Sequence, residues 1–126
     1  MNTRKIKTLS LFSGAGGLDI GFHDAGFDIV ACVELEEKYC KTLEKNKDEY
    51  LGSDTTIHNI DIRDFDVSPY IDKDIECIIG GPPCQTFSAA GRRSGGVIGT
   101  DDLRGQLYSA YCEILDAIKP SVFVFE

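Results

Sequence analysis

A chain of 126 residues, 42% hydrophobic and 27% charged, has the composition of one globular domain built on one core. Its formal net charge of −8 argues against a self-sufficient DNA-gripping domain, which is normally basic, so either nucleic acid is not bound or the gripping part lies elsewhere. No apolar run approaches membrane-spanning length, and the basic start Met1–Lys7 is not followed by an apolar signal region, which predicts a cytoplasmic protein with no membrane partner.

Strand-like and helix-like segments alternate along the chain, the pattern of an α/β domain with a mainly parallel, doubly wound sheet. Thr8–Phe12 reads as the first strand and ends at the turn Ser13-Gly14-Ala15-Gly16-Gly17. Leu18, Phe22 and Ala25 recur at helical spacing, and Gly26 supplies a stop. Phe27–Glu34 contains the second strand, and Glu36–Lys47 a polar surface helix with Tyr39, Cys40 and Leu43 facing inward. Thr56–Asp61 and Ile75–Ile79 are the third and fourth strands.

Residues 85–105 form a glycine-rich stretch too long for an ordinary connection, the signature of a functional lid or a disordered segment. Leu107, Tyr111, Ile114, Leu115 and Ile118 define an amphipathic helix closed by Lys119-Pro120, and Val122–Phe125 is a fifth strand. No repeat or linker divides residues 1–126. A buried apolar strand with nothing after it suggests a fold interrupted after the fifth strand.

Five cysteines, none in a C-x-x-C pair, and two isolated histidines argue against a structural zinc site or a disulfide framework. Cys32 and Cys77 fall in apolar strands, where a thiol behaves as a small buried hydrophobe.

Chemistry concentrates at the carboxyl ends of the strands, where open α/β sheets bind ligands. Glycines after the first strand let the backbone approach a ligand at a helix N-terminus. The dinucleotide pattern G-x-G-x-x-G fails, because Asp19 stands where the third glycine belongs. Glu34 closes the second strand at the place where a carboxylate accepts ribose hydroxyls. The bland alternative is a tight turn and a solvated glutamate, but the shared placement favours an adenosine-type ligand. Asp61 follows the third strand, where it can accept from an adenine amino group while Ile62 covers the ring. Taken alone, Asp61 reads as a surface turn residue.

The sharpest signal is Gly80-Gly81-Pro82-Pro83-Cys84-Gln85. Two prolines fix φ and remove two backbone donors, so Cys84 projects from a stiff corner as a candidate nucleophile. Glu126 ends the fifth strand and can converge with it; an acid beside a thiolate suits attack on a ring that must be protonated or hydrogen-bonded, such as carbon 6 of cytosine. The alternative for Glu126 is an ordinary final residue. Ser88, Arg92, Arg93 and Arg104 lie on the glycine-rich loop, suited to phosphate contacts with closure over a substrate, or else simply solvated.

Taken in order, Phe12–Gly17, Glu34, Asp61, Gly81–Ser88, Asp102–Leu107 and Phe123–Glu126 resemble the motifs of the DNA (cytosine-5) methyltransferases. The likeness spans essentially the whole chain. It implies a Rossmann-like S-adenosyl-L-methionine-dependent fold with strand order 3-2-1-4-5, and a restriction-modification type of enzyme acting in a prokaryotic cytosol. By resemblance, Phe12, Gly14, Gly16, Gly17 and Leu18 contact S-adenosyl-L-methionine, Glu34 its ribose and Asp61 its adenine amine. Leu35 and Ile62 flank the adenine, and Pro82 and Leu107 line the cofactor pocket. Cys84 adds to carbon 6 of a cytosine flipped out of double-stranded DNA, and Glu126 holds the ring nitrogen and exocyclic amine. Gln85, Ser88, Arg92, Arg93 and Arg104 form the DNA-contacting loop.

Two departures stand out. Leu35 replaces an aromatic that stacks on adenine in some members, and the downstream arginine motif, the target-recognition region and the segment completing the cofactor pocket are missing. The expectation is therefore the amino-terminal part of a catalytic domain. The rest would come from the same chain or from a complementing subunit, would carry the basic DNA-gripping surface, and would be needed for activity. An RNA cytosine-5 methyltransferase and a catalytically silent regulatory subunit on the same scaffold are the competing readings; Cys84 argues against the silent one.

Overall fold

The computed structural model describes residues 4–82 and 103–126. Along the chain run β1 (Ile6–Leu11), α1 (Gly17–Asp24), β2 (Phe27–Glu34), α2 (Glu37–Asn46), a π-helical turn (Lys47–Leu51) and β3 (Thr56–Asn59). Two 3-10 turns (Ile62–Asp64 and Ser68–Tyr70), β4 (Cys77–Gly80), α3 (Leu103–Ile118) and β5 (Val122–Phe125) follow. All strand pairings are parallel, in the order β3-β2-β1-β4-β5. This is the doubly wound α/β sheet that the alternating pattern predicts. The winding reverses between β1 and β4, so the ligand crevice of such a sheet belongs at their carboxyl ends.

Alternation along the strands divides the core into two layers. Leu9, Leu11, Ala31, Val33 and Ile78 face one side and pack with Ile62, Ala110, Tyr111 and Ile114. Ile29, Cys32, Cys77 and Ile79 face the other and pack with Leu43, Leu51, Leu18 and Phe22. The register between β1 and β2 slips by one residue, Thr8 pairing with Ile29 but Leu9 with Ala31. Val30 is the extra residue, and this β-bulge lets Val30 and Ala31 pack into the same layer. Cys32 and Cys77 are buried thiols, as their apolar strand sequences predict, although Cys32 also donates to Asp19, and Cys40 joins them in burial.

Three expectations are corrected. Tyr39 is exposed rather than inward; Cys40 and Leu43 alone fill the buried stripe of α2, and Lys38 lies over the Tyr39 ring. The last helix begins at Leu103, within the stretch read as a loop, and takes the buried Gly105 into its first turn. β5 is not a buried strand: Val122, Phe123 and Phe125 are exposed on an edge strand that, among the described residues, pairs with β4 alone. Among the described residues, no helix is long and apolar enough to cross a membrane.

Tyr111 locks α3 to the sheet. Its ring is fully buried, its hydroxyl donates to the Val124 carbonyl at 2.8 Å, and it meets Phe125 edge-on at 4.9 Å. Gly80 makes room for it. A Cβ there would lie 2.7 Å from the Leu11 carbonyl oxygen and 2.8 Å from the Tyr111 ring, with backbone on one side and an immobile ring on the other. Gly80→Ala is expected to destabilise the fold by about 1–3 kcal/mol, the usual range for overpacking a core, read from the urea unfolding midpoint.

Candidate active site

β1 ends in strain. Phe12 adopts φ 54°, a left-handed backbone that a bulky residue holds only at a cost on the order of 1–2 kcal/mol. The ring that results lines a cavity of about 260 Å³ and lies parallel to Tyr111, their centroids 6.5 Å apart. Gly16 follows at φ 98°, where an added Cβ would also strike the Leu43 side chain at 2.8 Å. The chain thus turns from strand to helix within five residues.

The cavity lies at the carboxyl ends of the strands. Its walls are Phe12, Glu34, Leu35, Glu36, Ile60, Asp61, Ile62, Gly81 and Leu107, apolar surfaces interrupted by carboxylates. Glu34 is nearly buried, and its carboxylate accepts from the Gly14 N–H at 2.7 Å and from the Glu36 N–H at 2.7 Å. One side chain therefore ties the glycine turn to the β2–α2 turn. The Gly14 N–H is committed to Glu34 and is not a free donor for a ligand. Each Glu34 oxygen keeps one acceptor direction for a hydroxyl group.

Asp61 begins the first 3-10 turn, and Arg63 grips it. Oδ1 accepts from the Arg63 backbone N–H at 2.9 Å and from Nε at 3.0 Å, while Oδ2 accepts from Nη2 at 2.6 Å. These hydrogen bonds hold the Asp61 carboxyl below its ordinary pKa range. Arg63 Nη1 in turn donates to Gln106 Oε1 on α3 at 3.0 Å.

Beneath the glycine turn lies a buried polar cluster. The Ser10 hydroxyl donates to Asp19 Oδ1 at 2.7 Å, Cys32 Sγ donates to Asp19 Oδ2 at 3.2 Å, and the Ser13 hydroxyl sits 2.7 Å from that of Ser10. Burial pushes the Asp19 carboxyl above its ordinary pKa, against the lowering by these hydrogen bonds. Burial, and then Asp19, push the Cys32 thiol up, leaving it a proton donor rather than a nucleophile.

At the far rim, the Glu126 N–H donates to the Gly80 carbonyl at 3.1 Å, extending the β4–β5 pairing to the last residue. A Cβ on Gly81 would lie 3.7 Å from Glu126 Cβ and 3.8 Å from Oε2, so the exposed Glu126 carboxylate stands beside a residue of the cavity wall. Pro82 is buried next to Gly81, which itself borders the cavity. Gly17 and Leu18 instead line a shallow apolar groove along α1, with Gly21 and Phe22. Cys84, Gln85, Ser88, Arg92 and Arg93 lie outside the described residues, as does the side chain of Arg104, whose backbone belongs to α3.

The profile of the C-5 cytosine-specific DNA methylases matches residues 6–126, the entire described sheet. The chain belongs to that family. Among its relatives, Type II methyltransferase M.AquIA of Picosynechococcus sp. is 40% identical over 126 residues, covering 95% of this chain and 47% of that protein. M.FnuDI of Fusobacterium nucleatum is 43% identical over 121 residues, covering 96% of this chain and 32% of that protein. This methylase chain thus spans about a third to just under half of the length of these two relatives. A crystal structure of Spodoptera frugiperda DNMT2, as a triple mutant, superposes with a TM-score of 0.64 at 27% identity, over 90% of this chain and 32% of that one.

Sequence reasoning on this methylase missed Arg63 and the Asp19 cluster. Asp61 and Arg63 stand two residues apart, a spacing typical of an Asx-type turn, and that was the available signal. Asp19 gave itself away only as a carboxylate in a place where glycine was sought.

Two outcomes follow. Asp19 releases its proton at a higher pH folded than unfolded, so its effect is most favourable below the unfolded value of 3.8 and is lost as pH rises through the folded value. Asp19→Asn should remove that decline, so that wild type loses up to about 1.4 kcal/mol per pH unit relative to the variant across the window, read from urea midpoints at stepped pH. Glu34→Gln sets an amide NH₂ against one of two backbone N–H donors and should cost about 1–3 kcal/mol in the same measurement.

Proposed function

We propose that the protein transfers a methyl group from S-adenosyl-L-methionine to carbon 5 of a cytosine flipped out of double-stranded DNA. The observation that carries this reading is the single cavity bounded by Phe12, Glu34 and Asp61 that ends at Gly81, against which Glu126 lies. Its contents suit an adenosine: apolar faces from Phe12, Leu35, Ile62 and Leu107 for a flat ring, Glu34 for ribose hydroxyls and Asp61 for an amine. The glycine turn at Gly14 and Gly16, tied to the cavity through Glu34, would border the methionine part, and carboxylates about the cavity suit a cationic ligand. When bound, the cofactor supplies an electrophilic methyl group.

The chain's own residues prepare the acceptor. The Cys84 thiolate forms a bond to carbon 6, and the electron pair of the 5,6 double bond moves toward carbon 5. Glu126 supports that shift by hydrogen bonding or protonating the ring nitrogen and holding the exocyclic amine. Once carbon 5 is methylated, it loses its proton, the bond from sulfur to carbon 6 breaks, and the thiolate is regenerated. Extrusion of the base is required because sulfur and methyl add to the faces of the ring, which neighbouring bases cover within the stack. The glycine-rich segment bearing Gln85, Ser88, Arg92 and Arg93 contacts the DNA in this reading, together with Arg104 in the first turn of α3. The chain's acidity and its share of its relatives' length support a further segment or complementing subunit for DNA grip and full activity.

The test uses the intact gene product, with duplex DNA carrying 5-fluorocytosine, which blocks loss of the carbon 5 substituent and traps the adduct. With S-adenosyl-L-methionine present, a denaturation-resistant complex is expected from wild type and none from Cys84→Ser. Binding of S-adenosylhomocysteine should stay within about twofold, because the sulfur serves the base rather than the cofactor. A fall in cofactor affinity equal to the loss of adduct, or an adduct that survives the substitution, overturns the assignment.

A further inference from the structure

Arg63 has no evident part in folding. Its side chain is 41% exposed, and ion pairs so placed contribute little to stability. Yet it makes three hydrogen bonds to Asp61 and a fourth to Gln106. An ionised carboxylate offers about four acceptor directions and no donor. Arg63 fills three of them: both on Oδ1 and one on Oδ2. Asp61 lines the cavity, whereas Arg63 and Gln106 line the neighbouring groove of about 370 Å³ between the first 3-10 turn and α3. Arg63 thus reaches Asp61 from the groove that it lines, while Asp61 itself borders the cavity, and the remaining Oδ2 direction is the one available to a ligand there.

We propose that Arg63 is a specificity-determining positioning residue: by filling the other directions of Asp61 it leaves a single, fixed acceptor in the cavity that takes an N–H donor and rejects a carbonyl. This deepens the cofactor reading and rests on it, since the donor in question is the 6-amino group of adenine. A base with oxygen at that position sets a lone pair against a charged acceptor that cannot rotate away. A planar fork is required for this, because bidentate Nε and Nη2 contacts fix the carboxylate plane, whereas a lysine ammonium is a point charge that leaves it free to turn. Gln106 accepts on the far side of the guanidinium and ties the clamp to the helix that carries Leu107 into the cavity.

The experiment is calorimetric titration of the intact gene product with two probes, S-adenosylhomocysteine and S-inosylhomocysteine, which differ in the amino or oxo group at carbon 6 of the purine and the adjoining protonation. Wild type is expected to prefer the adenine compound on the order of 10- to 100-fold, the range for a hydrogen bond to a charged group. Arg63→Ala and Arg63→Lys should compress that ratio to about threefold or less, with far-UV circular dichroism and melting temperature unchanged. A general loosening would lower both affinities together and leave the ratio intact, so the ratio separates positioning from structure. Full discrimination in either variant overturns the proposal, as does equal binding of both probes by wild type, which leaves the cofactor reading standing. Failure of wild type to bind either probe removes the cofactor reading and the proposal with it.

Discussion

Everything at the working edge of this sheet depends on one carboxylate joining two turns. Glu34 accepts from Gly14 on the β1 side and from Glu36 on its own side, so the cavity rim is a closed hydrogen-bonded unit rather than two independent loops. The contact is possible because β1 and β2 are adjacent and parallel and end at the same level, Leu11 opposite Val33. Topology delivers the two turns side by side, and a buried, charge-assisted pair of hydrogen bonds then fixes their separation. The strain of Phe12 is tolerable in this setting, since the neighbouring backbone is held on both sides.

A second layer of polar organisation lies beneath that rim. Ser10, Ser13, Asp19 and Cys32 satisfy one another where glycine-rich backbone crosses the sheet, and burial there favours the protonated carboxyl. The surface pair of Asp61 and Arg63 obeys the opposite logic: an adjacent cation keeps the carboxyl ionised and acceptor-only. Two acids of one domain thus carry different protonation tendencies, set by surroundings rather than by residue type.

Much of this architecture was legible in the residues. β2 and β5 lie where apolar β-branched runs place them, the strand order follows from the alternation and the family likeness, and Phe12, Glu34, Asp61, Ile62 and Leu107 share one cavity. What escaped was decided by neighbours that periodicity does not encode. Tyr39 fits an inward helical spacing, but Cys40 and Leu43 already occupy the inward stripe. Val122–Phe125 reads as a buried strand because parallel strands usually have cover on both faces, yet its Phe residues are half exposed at a sheet edge. Arg63 looked like one more surface charge because its partners, Asp61 and Gln106, meet only after α3 has docked. Gly17 and Leu18 sit in the same glycine run as Gly14, but the helix has already begun and turns them onto its other flank.

Tyr111 couples the two ends of this site. One flat side of its ring runs parallel to Phe12 in the cavity, its edge meets Phe125, and its hydroxyl holds Val124, two residues before Glu126. The cavity wall at Phe12 and the strand end at Glu126 are consequently gauged from a common aromatic plate, so that displacement of one bears on the other. Under the proposed function, alignment between donor and acceptor would be inherited from the domain's interior, and a bound nucleic acid need not create it.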